Sequence, residues 1–594
     1  MAVNYKAPIN DIIFAYDVLD SYNILNKIEK FKDFGFDTLE PIVEECAKFA
    51  EEVLAPINSV GDKNGAIFDE GIVKMPPGFK EAYEKFTKAG WSSISLPSDI
   101  GGGGLPYGLS AAILEILCTA NMAFVLGPGL SIGAISGINF HANQGQKDMY
   151  LPDLVAGNWT GTMNLSEPQS GSDLSNISTK ATKQDDGTYR ITGTKIWIGS
   201  GEHDLSENII HLVLAKVPGS PEGTKGISMF IVPKFVVNDD SSLGRHNKVN
   251  CISIEEKLGI HGSPTCVMEY DDSVGYLIGE ENMGLNYMFT TINEARIRAG
   301  GHGLACTSGA LQGASQYARD RVQGRPVGMT KEEAKDSSII DHADVRRTLM
   351  TIKSYLDAMR YMNYDNHLML DLEYFAEGEL KDFGKERCGI LTPITKAWIS
   401  DSSVELTSMA IQVYGGMGYV EETGIAQYFR DARIAPIYAG TNGIQAEDLV
   451  FRKITLNDGK AVESLLKEMR TNISSMKEHE NLELLGEILE RHVAEIEEAT
   501  QYLLKELGKG NLAGVSASGT PYLKMFGQVL GGHYMGKAAV TATKNLLEDN
   551  AEFYNDKITL SKFYIEQLLP LASSYFSSVM LGKENLYSID SNSF

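Results

Sequence analysis

GTMNLSEPQSGSD, residues 161–173, marks the point at which this chain changes character. Ser, Gly and Pro crowd a turn whose backbone N–H groups and hydroxyls can meet a phosphate or the edge of a flat ring. By turn chemistry alone it is equally an ordinary connecting loop. Upstream, from Thr38 to about Asn121, apolar residues such as Ile42, Cys46, Phe49, Val53 and Leu54 step mostly by three or four, which predicts helices. Downstream, TYRITGTKIWIG, HLVLAKV and ISMFIVPKF are short runs rich in Val, Ile, Thr and aromatics and bounded by Gly, Asp and Pro, which predict strands. From about Met288 helical spacing returns, and Asn293 to Val322, His342 to Leu370 and Leu391 to Val413 are long enough for a bundle. Gly324 to Ser338 and Asp371 to Glu386 are polar and are expected to be loops or solvent-facing turns. Beyond Lys453 a further helical segment places Leu485, Ile488, Leu489, Val493 and Ile496 on one face. The predicted class is mainly α with a central β domain. It divides into an extension (1–36), a helical domain (37–157), a β domain (158–285), a helical bundle (286–455) and a second helical domain (456–594). Helical domains flanking a β domain leave clefts at the joints, where cofactors commonly sit.

A chain of 594 residues exceeds a typical single domain several-fold. With 43% hydrophobic and 22% charged residues it falls in the ordinary globular class. A net charge of -25 argues against nucleic acid as a partner, because that task needs a clustered basic surface. The six cysteines, Cys46, Cys118, Cys251, Cys266, Cys306 and Cys388, form no CxxC pair, which suggests neither a zinc site nor a disulfide scaffold and fits a reducing cytoplasm. The N-terminus lacks the basic start and apolar run of a signal peptide. Residues Asn121 to Phe140 are uncharged and long enough to span a bilayer, but they contain Pro128, four glycines and two asparagines, and a buried helix is the expected reading, with no transmembrane segment.

Seven segments then stand in order. The opening turn is followed by GTKIWIGSG (193–201), a strand carrying Trp197, although a strand tryptophan is by itself most often core. Next come LGIHGSPT (258–265), IGEENMGL (278–285), YARDRVQGR (317–325), IQVYGGMGY (411–419) and FRDARIAPIYAGTNGIQ (429–445). The glycines from Gly415 follow a helical pattern rather than a strand, so a Rossmann fingerprint fails its context test. The first segment resembles the flavin signature of the acyl-CoA dehydrogenase family, a Thr/Ser-Glu-Pro turn before Gly-Ser-Asp, and the second resembles that family's Lys-x-Trp-Ile strand. The remaining five resemble its later signatures. The likeness covers roughly residues 36 to 455. The extension and the last helical domain resemble, more globally, the long bacterial branch typified by 3-(methylthio)propanoyl-CoA dehydrogenase.

The resemblance implies the acyl-CoA dehydrogenase fold with an extra C-terminal helical domain, FAD as cofactor and an acyl-CoA substrate of short or medium chain. It implies Met163, Leu165 and Ser166 at the flavin ring, Ser172 near the pyrophosphate and the substrate, and Trp197, Ile198 and Gly199 beside the ring. The family usually has Thr where Gly199 stands, which leaves backbone or Ser200 as donors. Arg321 would reach the FAD of a second subunit, with Gln412, Gly415 and Gly416 receiving its adenosine end and Thr441, Asn442 and Gly443 closing on the cofactor. A homodimer or higher homo-oligomer follows, as does an electron-transferring flavoprotein as acceptor. Asn293, Arg296, Tyr438 and Gly440 would meet the substrate.

The implied chemistry removes an α proton and a β hydride from a saturated thioester to give the trans-2-enoyl-CoA, with the flavin taking the hydride. Such a proton needs a desolvated carboxylate. The family carries that glutamate in Tyr-Glu-Gly-Thr, whereas this sequence reads Tyr438, Ala439, Gly440, Thr441. Loss of a positioned base typically costs roughly 10² to 10⁴-fold in rate, so a nearly inactive enzyme is expected. Some members hold the base one residue before the arginine that matches Arg296, a position that is Ala295 here. The neighbouring Glu294 is the candidate substitute base, but it is turned by about 100° along a helix and is expected to be a solvated helix-start residue. With every flanking motif intact, Ala439 reads as a substitution in a complete site that would trap a ligand. A natural FAD and acyl-CoA binding protein and an acyl-CoA oxidase are the alternatives.

Overall fold

The computed structural model describes residues 4–335, 337–547 and 550–594. Two compact units emerge, one built from 1–47, 106–119 and 296–594, the other from 48–105 and 120–295.

The second unit holds the sheet. Strand Asn208–Lys216 and strand Ile227–Pro233 are buried along almost their whole length, as their near-continuous apolar runs require. They pair antiparallel, and Ile227–Pro233 also pairs with Thr265–Leu277. The path Thr265–Leu277, Tyr189–Gly199, Lys180–Lys183, Asn208–Lys216, Ile227–Pro233 therefore returns to its start, with Val249–Ile254 and Trp159–Asn164 added outside the ring. Closure removes most exposed edges. The region from 55 to 88 departs from the all-helical expectation: Ile67–Asp69 and Ile72–Lys74 form a small hairpin between helices Ala55–Asn64 and Phe79–Lys88. Two three-residue strands leave too little alternation for periodicity to register.

The first unit is helical. Helices Arg296 onward in Gly284–Asp320, Ala343–Phe375 and Gly378–Val413 form the bundle, followed by Lys460–Lys477, Glu483–Gly508, Leu512–Lys544, Ala551–Phe563 and Ala572–Leu581. The expected loop over Asp371 to Glu386 is not one. The chain stays helical to Phe375 and resumes at Gly378. Asp371 is polar because it is a cap, accepting the backbone N–H groups of Tyr107 and Gly108 at 2.7 Å each. Burial raises its pKa to about 8 against those bonds. The same helix carries Arg360, which is fully buried and held by Glu115 at 2.7 Å and Asp357 at 2.8 Å. Over Glu377 to Lys385 the charged side chains do face solvent, as their composition implies, but from the start of a helix rather than from a loop.

Helix Tyr107–His141 is long and apolar enough to cross a membrane by length and composition, and 89% of its apolar window is buried inside the protein. It bends at Asn121, whose Oδ1 accepts the Phe124 N–H at 3.1 Å and so caps the second segment.

Candidate active site

The opening turn and the tryptophan strand are joined by a buried ion pair. Glu167 and Lys195 meet at 2.8 Å with both side chains fully buried. Lys195 Nζ also donates to the Leu165 carbonyl at 2.9 Å, and the Ile196 N–H donates to the Ser166 carbonyl at 3.0 Å. Glu167 accepts further bonds from the N–H and hydroxyl groups of Ser178 and Thr179, between 2.6 and 3.0 Å. Burial alone would raise the Glu167 carboxyl, but Lys195 and these donors outweigh it and hold it near 2. Burial brings the Lys195 amine down to about 8 despite Glu167. The pair fixes residues 165–166 against the strand that follows. Both residues lie inside the motifs quoted above, yet their role was not legible, because they stand 28 positions apart in the chain.

What this frame presents fits a flat ring. The Leu165 and Ser166 carbonyls are turned inward to Lys195 and Ile196, and both side chains stay partly exposed. In strand Tyr189–Gly199 the register slips between Cys266 and Met268, so Ile196 and Trp197 together oppose one residue of the partner strand. This bulge gives Trp197 a φ of 61° and leaves its side chain 60% exposed while Ile198 stays buried. The general preference of strand tryptophans for the core does not hold at Trp197, whose indole is lifted out by a strained backbone that the surrounding register over-determines. Gly199 is fixed by the Thr162 hydroxyl, which donates to its carbonyl at 2.7 Å. A β-carbon at Gly199 would lie 2.8 Å from Leu130 Cδ1, so Leu130 fills the space of the missing side chain. Ser200 is buried, and its hydroxyl lies 3.1 Å from where a Gly127 β-carbon would stand. Ser172 is exposed on the loop after the turn, and Met163 is half-buried.

The other unit carries the turn at 438–441. Ala439 and Gly440 both have positive φ, 54° and 83°. Glycine suits position 440, because its φ of 83° would strain any other residue. Gln445 Nε2 bonds back to the carbonyls of Ala439 and Gly440 at 3.3 and 3.4 Å, and the Thr441 hydroxyl caps helix Asn442–Asp448. Tyr438 is not a free hydroxyl. It is hydrogen-bonded to His302 Nδ1, and burial with the nearby Cys118 and Cys306 pushes its pKa well up. His302, lowered to about 3 by burial and Arg298, is neutral, and its tautomer sets which of the two partners donates. Arg296 is buried and paired with Asp448 at 3.1 Å. Its Nε and the Gln445 Oε1 are buried without partners among the described residues. Unpaired buried polar atoms beside a turn are what a bound ligand or water is expected to satisfy.

Glu294 departs from expectation. It lies well inside helix Gly284–Asp320, is 2% exposed and accepts from the Ser136 hydroxyl at 3.4 Å, so it is a buried residue rather than a solvated helix start. The earlier start of the helix, at Gly284, explains the error. Asn293 is exposed. The Asn442 side chain is occupied by the bundle, leaving its backbone for a ligand. Arg321 is exposed, and its guanidinium has no partner among the described residues. Gln412, Gly415 and Gly416 are exposed, with open space where the two glycine β-carbons would be.

These features accompany clear likenesses. Family models match in order: the acyl-CoA dehydrogenase N-terminal domain (37–158), its middle domain (162–273), its C-terminal domain (282–453) and an acetyl-CoA dehydrogenase C-terminal-like domain (465–590). The chain belongs to the acyl-CoA dehydrogenase family, which comprises FAD-dependent oxidoreductases. It is 40% identical over 580 residues to 3-methylmercaptopropionyl-CoA dehydrogenase of Ruegeria pomeroyi, covering 97% of this chain and 98% of that one. Its fold is similar to that of Caenorhabditis elegans ACDH-11 in complex with C11-CoA (TM-score 0.80, 17% identity, 100% and 97% of the chains). It is also similar to an acyl-CoA dehydrogenase complexed with FAD from Bacillus anthracis (TM-score 0.74, 20% identity, 94% and 90%).

Proposed function

We propose that this chain binds FAD and a short- or medium-chain acyl-CoA, with 3-(methylthio)propanoyl-CoA as the leading substrate, and that with Ala439 it removes the α proton poorly. The likeness to the Ruegeria enzyme over nearly the full chain carries the substrate assignment. In this reading Leu165, Ser166, Trp197 and Gly199 bind the ring through donors and an exposed indole, with Met163 and Ile198 behind them. Arg296, Tyr438, Asn293 and Gly440 orient the thioester, and Ser172 meets the pyrophosphate side. Glu294, buried and hydrogen-bonded to Ser136, is the candidate substitute for the missing base. The chain carries the five-part division given above.

Arg321, Gln412, Gly415 and Gly416 serve a second copy, with Thr441, Asn442 and Gly443 at the cofactor. A homodimer is supported by the exposed apolar side chains of Met417, Val420 and Tyr419, the last 95% exposed, beside those glycines. An electron-transferring flavoprotein in the cytoplasm takes the electrons. A second reading, a binding protein in which Ala439 is native, is favoured by Gly199, where a second side chain near the chemistry is absent and Leu130 occupies its place. The test is a panel of short- to long-chain esters, including the methylthio compound, on the flavin-loaded Ala439→Glu variant. The methylthio ester is expected among the highest kcat/KM values. Preference for long chains overturns the substrate assignment, and protein that takes up no FAD overturns the whole reading.

A further inference from the structure

The turn at 438–441 is anchored by a buried amine that no step of the reaction uses. Lys396, on helix Gly378–Val413, is fully buried, and its Nζ donates to Asn442 Oδ1 at 2.7 Å. Asn442 Nδ2 donates in turn to Asp401 Oδ1 at 2.7 Å, Ser400 Oγ at 3.0 Å and the Ala397 carbonyl at 3.2 Å. One stretch of a bundle helix, 396–401, therefore grips every polar atom of a single amide. Asn442 is the first residue of the helix that follows the turn, so whatever holds Asn442 also fixes the exit of the chain from Ala439 and Gly440. Ala439 needs such an anchor, because a non-glycine residue at a φ of 54° persists only where the surroundings over-determine it.

A lysine is a costly way to make an ordinary packing contact. Burial pulls its pKa down to about 7, with Asp401 opposing and Arg296 reinforcing the fall. Among the described residues its Nζ makes one hydrogen bond, the bond to Asn442. A methionine would fill the same volume without that penalty, and an amine here gains its place through the amide it holds.

We propose that Lys396 is a positioning residue: through Asn442 it sets the direction in which the side chain at position 439 points. Arg296 braces the same turn from the other side, with Nη2 3.9 Å from the place of a Gly440 β-carbon and Nη1 on Asp448. The inference rests on position 439 being that of the base.

The experiment uses the full-length, flavin-loaded protein. In the Ala439→Glu background, Lys396→Met is expected to lower kcat at least tenfold while KM and flavin content change less than twofold, and Lys396→Arg to recover part of the loss. Adding Lys396→Met to Asn442→Ala should cost nothing further, since both break one linkage. In the protein as it stands, Lys396→Met should speed amide hydrogen exchange at least tenfold in a peptide covering 438–446 and leave residues 343–375 unchanged. A uniform rise in exchange, or kcat and KM changing together with flavin loss, overturns the inference in favour of a merely structural lysine. No turnover by Ala439→Glu alone overturns the base assignment, and the positioning role with it. Turnover that Lys396→Met leaves intact overturns only the anchor.

Discussion

Lys195→Met removes the positive half of a fully buried ion pair and leaves the Glu167 carboxylate in place. Breaking such a pair from one side costs about 3–5 kcal/mol, because the surviving charge stays desolvated. Here two terms pull apart. Glu167 keeps the Ser178 and Thr179 donors, which moves the cost toward the lower end. The Leu165 carbonyl loses its donor, which adds roughly 1–3 kcal/mol if it stays dry. A total of about 4 kcal/mol follows, on the order of a thousandfold in the population of the opened turn at about 1.4 kcal/mol per decade. The double variant Glu167→Gln with Lys195→Met removes both charges, and its destabilisation should be smaller than that of Lys195→Met alone. Urea unfolding followed by intrinsic fluorescence, with bound flavin measured on the same samples, reads both consequences. Lys195→Met should lose flavin before it loses helical structure. A Lys195→Met protein within 1 kcal/mol of the parent, with full flavin, refutes the idea that this pair builds the ring-binding turn.

Arg321→Ala should weaken flavin retention while leaving the fold of each subunit intact, since alanine cannot replace a charge-assisted bond to a phosphate; flavin content after dialysis and subunit melting check it. Acidification should destabilise the protein early. His203, His211 and His302 are each lowered from 6.5 to about 3, chiefly by burial, so the unfolded chain binds more protons between those values and stability falls as pH drops through that window. At pH 5 each is expected to cost ~2 kcal/mol, and Glu167 adds a loss below 4.5 as pH approaches 2. Thermal melting between pH 7 and 5 checks this, and a flat profile contradicts it.

The fold was legible where one property repeats. Strand Asn208–Lys216 announced itself by a near-continuous apolar run, and helix Glu483–Gly508 by Leu485, Leu489, Val493 and Ile496 on one face. It was not legible where polar residues are buried in pairs: Asp371 read as loop because its partners, two backbone N–H groups, lie over 260 residues away. Short strands at Ile67–Asp69 and Ile72–Lys74 lacked the length for a period. At the site, the sequence named Trp197 and Ala439, but not the bulge that exposes one or the positive φ of the other. Both depend on register and cross-chain packing. Lys396 went unnoticed because it stands in a helix with nothing near it in sequence to mark the amide it holds.

The most direct measurement is flavin reduction and steady-state turnover of the parent and Ala439→Glu with equal flavin loading, 3-(methylthio)propanoyl-CoA and an artificial electron acceptor. A base acts as charge develops in the transition state, so turnover should rise at least about a hundredfold while substrate affinity changes far less. Equal turnover by the two proteins contradicts the account and moves the base to another residue. If neither form reduces its flavin with any ester, the chain binds its ligand without transforming it.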